Sequence, residues 1–162
     1  MYKIRRIKPD EVAAARYLIY SVAHEIFNDT RPLEESMDFY DSKGVLDDMD
    51  DIQKTYFENN GTFLVMVHED RIIGTGAIKR MDGEICELKR LWFLKEFRGK
   101  GLGYQMTQEL LAFARSMGYQ RVRLETDPEA QSRALNFYKR LGFYEIPQYS
   151  QHQGETALEL VL

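Results

Sequence analysis

The chain has 162 residues, 44% hydrophobic and 30% charged, enough for one domain with a single sizeable core. A formal net charge of -4 argues against a sequence-independent nucleic-acid binder, which needs a basic face. The one cysteine, Cys86, excludes an internal disulfide, and no apolar leader or run of ~18 apolar residues occurs, so the expectation is a cytoplasmic domain without a membrane span.

Tyr2 to Ile7 alternates and predicts a first strand. Pro9-Asp10-Glu11 opens a helix, since proline fits a first turn and acids suit the positive end of the dipole. Val12, Ala15, Ile19, Val22 and Ile26 give that helix one apolar stripe. Asn28 to Ser36 reads as a loop, and a second helix covers much of Met37 to Asn59, with a break near Gly44. Thr62 to His68 and Arg71 to Lys79 are strands around a Glu69-Asp70 turn. Met81 to Glu84 is a further turn and Ile85 to Leu94 a fourth strand. Gly101 to Met117 is a helix stopped by Gly118, and Val122 to Glu125 a fifth strand. Asp127-Pro128 opens a last helix to Leu141; Phe143 to Tyr149 and Thr156 to Val161 are closing strands.

The order β-α-α-β-β-β-α-β-α-β-β predicts an α/β fold whose mixed, mostly antiparallel sheet carries helices on both faces. The fourth and fifth strands, joined by a helix, should run parallel. With no repeat or linker, residues 1–162 read as a single domain.

The most informative stretch is Arg98-Gly99-Lys100-Gly101-Leu102-Gly103, between a strand and a helix. A helix N-terminus leaves main-chain N–H groups unpaired, glycines let that backbone approach a ligand, and Arg98 and Lys100 add charge. The glycine spacing is not that of a dinucleotide fingerprint, and Lys100 is followed by Gly101 rather than the Ser or Thr of a Walker A loop. The plainer alternative is that the glycines only let the helix pack tightly on the sheet.

The loop resembles the [Arg/Gln]-x-x-Gly-x-[Gly/Ala] signature of the GNAT acetyltransferase superfamily. Glu87-Leu88-Lys89-Arg90-Leu91-Trp92-Phe93 resembles that family's fourth strand, and Ala134 to Phe143 its last helix and following strand. The resemblance is strong over about Ile72 to Phe143 and implies a GNAT-like fold and an amine N-acetyltransferase using acetyl-CoA as cosubstrate. It implies that the amides of Gly99, Lys100, Gly101, Leu102, Gly103 and Tyr104, with Arg98 beside them, bind the pyrophosphate. It places the pantetheine arm along the main chain of a bulged fourth strand at Leu91, Trp92 and Phe93. Gln131 stands where related sequences often have Asn, so a contact to the cofactor there is in question.

Two residues are candidates for proton transfer. Glu87 lies on a middle strand that should be apolar, so it either lines an opening and takes the amine's proton or pairs with Lys89 or Arg90. Tyr138 falls where the family has a tyrosine that protonates the departing sulfur; Phe137-Tyr138 also sits at core spacing with Ala134 and Leu141. Cys86 reads as a core hydrophobe, and His24, His68 and His152 share no ligand spacing, so no metal is expected. Asp47-Asp48-Met49-Asp50-Asp51 reads as a solvated helix start, or an acidic patch for a basic substrate.

The expected acceptor is an amine of a small molecule or peptide, with no nucleic-acid or membrane partner and homodimerisation left open. A CoA-binding sensor without catalysis and a protein acetyltransferase are the competing readings, separated by thiol release and by how closed the cleft is.

Overall fold

A computed structural model describes residues 1–152 and 154–162. Its strands are β1 (Tyr2–Arg6), β2 (Thr62–His68), β3 (Arg71–Arg80), β4 (Ile85–Phe93), β5 (Arg121–Thr126), β6 (Tyr144–Ile146) and β7 (Thr156–Val161). Its helices are α1 (Val12–Ile26), α2 (Leu33–Ser42), α3 (Leu102–Ser116) and α4 (Ser132–Arg140). The seven strands form one sheet in the order β1-β2-β3-β4-β5-β7-β6, antiparallel throughout except for β4 and β5.

Period-two alternation gives each strand two kinds of neighbour. One face packs Ile73, Ile78, Cys86, Leu88, Val122 and Leu124 against α3 and α4. The opposite face packs Phe63, Val65 and Ala77 against α1 and the 46–56 region. Each helix closes its own core: Leu18, Ile19 and Val22 on α1, and Met106, Leu110 and Ala114 on α3. No helix among the described residues is long and apolar enough to cross a membrane.

The second helix differs from expectation. Helix α2 runs over Leu33–Ser42, starting inside the stretch read as loop, and residues 43–59 hold only a 3₁₀ turn at Asp47–Met49 and a π turn at Gln53–Phe57. Pro32 is extended at φ -54, ψ 144 and sets the helix entry, while Gly44 at φ 71 ends it early. The last helix, expected to open at Asp127-Pro128, starts at Ser132, and the strand from Phe143 shrinks to Tyr144–Ile146.

Asp48 is not part of a solvated start or an acidic patch. Its side chain is 7% exposed, and its carboxylate accepts from Arg90 at 2.5 and 3.1 Å and from the Tyr56 hydroxyl at 2.5 Å. The cause lies in β4. Between Thr75↔Trp92 and Ala77↔Lys89, two steps of β3 face three of β4, and Arg90 adopts φ 60. This bulge puts Lys89 and Arg90 in succession on the α1 side, and the buried guanidinium needs a partner there. The Thr75 hydroxyl donates to the freed Arg90 carbonyl at 2.6 Å.

Candidate active site

The bulge bends β4 away from β5. The two pair only at Ile85↔Arg121, Cys86↔Val122 and Glu87↔Arg123, and beyond them a gap opens. The Leu94 N–H bonds the Ile73 carbonyl at 3.0 Å, on the β3 side. Strand alternation therefore turns the main chain of Phe93 and Leu91 toward the gap and that of Trp92 toward β3. Trp92 instead contributes its side chain to the core beside α1.

At one end of the gap lies the glycine loop. The N–H groups of Gly99, Lys100, Gly101, Leu102, Gly103 and Tyr104 bond no described residue; the first bonded amide of the helix is Gln105, to the Gly101 carbonyl at 3.1 Å. No side chain among the described residues caps α3. Gly99 and Gly101 have φ 77 and 79, a region costly for other residues. A Cβ built on Gly99, Gly101 or Gly103 would meet no protein atom within 4 Å. Packing on the sheet thus makes no demand for these glycines, which removes the plainer alternative. Consecutive amides at the positive end of a helix, lined by open space, fit a diphosphate. Lys100 is exposed, 5.5 Å from the Phe97 ring centroid, while Leu102 turns its side chain into the core.

Arg98 has a different task from free anion contact. Its Nε donates to the Phe93 carbonyl at 2.9 Å and its guanidinium pairs with Glu25 of α1 at 2.9 Å. It ties the loop to α1 and occupies one main-chain oxygen on the gap edge of β4. By the same alternation the Leu91 main chain also faces the gap.

The gap has two faces. Tyr138 approaches with the α4 core, 6% exposed and edge-on to Phe137 and Phe143. Burial pushes its phenol well above the ordinary range, so it stays protonated at neutral pH. Its hydroxyl makes no hydrogen bond to a described residue. Gln131 turns its carboxamide oxygen back to the Thr126 hydroxyl and the Asp127 N–H, both at 3.2 Å.

Glu87 lies on the opposite face. Tyr149 donates to its Oε2 at 2.7 Å and Lys89 Nζ stands 3.6 Å from its Oε1. Burial lowers the Lys89 pKa, with Glu87 opposing. Of the two expected partners Lys89 is present; Arg90 is taken by Asp48. Cys86, one residue away, faces the other core, and burial pushes its thiol up to about 12.

In the sequence, Tyr149, Glu125 and Glu155 carry no site role, and His152 is considered only as a metal ligand and set aside. Glu125 was legible, because it stands two residues past Arg123, the register partner of Glu87, and so shares its face. The other three sit in an irregular connection that carries no periodic signal.

The model of the Acetyltransferase (GNAT) family matches residues 21–143. The N-acetyltransferase YjgM of Escherichia coli (strain K12) is 33% identical over 101 residues, 60% of this chain and 60% of that protein. N-acetyltransferase 8B of Homo sapiens is 33% identical over 119 residues, 70% of this chain and 52% of that protein. This chain thus spans less than two thirds of either relative's length. The crystal structure of a PaiA N-acetyltransferase from Thermoplasma acidophilum in complex with coenzyme A shares the fold, at a TM-score of 0.80 over 100% of this chain and 99% of that one, with 16% identity.

Proposed function

Because this chain belongs to the acetyltransferase (GNAT) family, we propose that it is an N-acetyltransferase that moves an acetyl group from acetyl-CoA to a primary amine of a small molecule by direct attack. The observation that carries this reading is the run of unpartnered amides from Gly99 to Tyr104, opening beside the unpaired edge of β4. Acetyl-CoA, when bound, supplies the activated thioester. The loop amides hold its diphosphate, and the Leu91 main chain pairs with the amide-bearing arm as a missing strand would.

The two faces of the gap divide the proton transfers. Glu87 takes the surplus proton of the nitrogen as the C–N bond forms, and Tyr138 gives a proton to the sulfur as the C–S bond breaks. The amine thus loses one proton and the thiol gains one, and solvent restores both side chains. Lys89 and Tyr149 hold the Glu87 carboxylate in place. Much of the rate comes from alignment of nitrogen and carbonyl carbon between these faces.

The test is a melting shift with acetyl-CoA followed by thiol release over a panel of amines. Saturation at ~100 times Kd should add ~2.7 kcal/mol of stability. Steady thiol release with an amine excludes a non-catalytic sensor. Absence of both the shift and the release would defeat the proposal.

A further inference from the structure

Lys89 is the last residue of β4 before the bulge, opposite Ala77 of β3. The final pair of β4 with β5 is Glu87↔Arg123, so Lys89 stands where the two strands have already parted. Leu91, whose main chain faces the gap, is two residues further on, at most about 7 Å at strand spacing. The Lys89 side chain lies on the Glu87 side of the sheet and is 25% exposed, so its amine can be reached. Its Nζ is 3.6 Å from Glu87 Oε1, beyond hydrogen-bond length, and donates to no described residue. Its neighbour Arg90 is instead held by the Asp48 carboxylate and the Val45 carbonyl. Burial lowers the Lys89 pKa; Glu87 opposes this, and Arg90 and Lys79 reinforce it. A lysine shifted in this direction holds more of the neutral amine, the form that attacks a carbonyl. A nucleophile, a carboxylate base beside it and the edge that would carry a thioester therefore meet at one point of β4.

We propose that Lys89 is a self-acetylation site: without an acceptor amine, its Nζ takes the acetyl group from acetyl-CoA in the gap, and the modified enzyme is inactive. This rests on the acetyltransferase reading above. The Lys89 ammonium first releases one proton to solvent. The neutral nitrogen then attacks the thioester carbonyl carbon, and Glu87 takes the second proton as the C–N bond forms. The C–S bond breaks and the sulfur receives its proton from Tyr138. The sum is one acetyl-lysine, one free thiol and one released proton. The product is an amide, too unreactive to pass its acetyl group on to an acceptor, so it is an end state and not an acyl-enzyme intermediate. Acetylation removes the positive charge that faces Glu87 and places an acyl group beside the base.

The experiment incubates wild-type protein with acetyl-CoA and no added amine, and follows modification by intact mass and peptide mapping. The expected result is a single acetyl group at Lys89, formed at least roughly 100-fold faster than at exposed Lys3, because the donor is held beside it. Gly103→Glu, which places a carboxylate in the diphosphate loop, and Glu87→Gln should each slow the reaction at Lys89 and leave Lys3 unaffected. After excess acetyl-CoA is removed, thiol release with an amine substrate should fall in proportion to the fraction modified. An unmodified Lys89, in protein whose melting point acetyl-CoA raises, overturns the proposal and leaves the acetyltransferase reading intact. Acetylation at equal rates on Lys89 and Lys3, or undiminished in Gly103→Glu, also overturns it, as does full turnover by the modified protein. If no amine is turned over but Lys89 is acetylated selectively, with a dependence on the glycine loop, the self-acetylation site stands and the small-amine reading fails.

Discussion

Replacing Gly103 with glutamate should move stability and ligand binding in opposite directions. Gly103 is the second residue of α3, and a Cβ there meets no protein atom within 4 Å, so the new side chain adds no clash. Glutamate is better than glycine in a helix by roughly 0.5 kcal/mol, and an acid in the first turn gains a further ~0.3–1 kcal/mol from the dipole. The sum is about 0.8–1.5 kcal/mol, or roughly 2–6 °C in Tm for a chain of this size. The same carboxylate would sit among the unpartnered amides and repel a diphosphate. Wild-type protein at ~100 times Kd of acetyl-CoA should gain ~2.7 kcal/mol, roughly 5–11 °C, and Gly103→Glu should gain almost nothing. Differential scanning fluorimetry with and without acetyl-CoA reads both effects. A variant that melts higher yet keeps the full ligand shift would show that the diphosphate does not bind at this turn.

Tyr138→Phe should lower kcat by about 100-fold or more while leaving the KM for acetyl-CoA nearly unchanged, because the phenol acts only as the sulfur departs. Unchanged turnover would remove Tyr138 from the mechanism. Asp48→Asn leaves the Arg90 guanidinium, 16% exposed, without its charge partner and should cost about 3–5 kcal/mol in a urea titration. A loss under ~1 kcal/mol would mean that the bulge does not depend on that pair. At Glu11, the Arg5 hydrogen bond lowers the carboxyl from 4.5 to about 2. A depressed pKa contributes stability that is complete above about pH 4.5 and is lost as the pH falls toward 2. Glu11→Gln should therefore flatten the acid side of the urea midpoint profile, and an NMR titration placing Glu11 at its ordinary value would contradict the Arg5 contact.

The order of strands and helices was legible because each long element carries its own period. The stripe of Val12, Ala15, Ile19, Val22 and Ile26 needs no neighbour to be recognised, nor does the glycine run from Gly99 to Gly103. The stretch from Pro32 to Asn59 was read less well, since its aromatic and acidic residues take their places from tertiary partners. Tyr56 is buried against Phe63, and Asp48 is fixed by a guanidinium forty-two residues away. Propensity cannot report such a partner.

At the site, the residue types were set by the sequence, and their grouping was set by the fold. Local chemistry alone determined that a glycine turn would open α3 with free amides, because the feature depends on adjacent residues. Only the tertiary structure decided that the bulge at Arg90 would part β4 from β5, that Arg98 would be bound to Glu25 and the Phe93 carbonyl, and that Tyr149 would reach Glu87. It also brought Glu125, His152 and Glu155 together. Those contacts join segments distant in the chain, and their energies exist only after the sheet has set the register that brings them within reach.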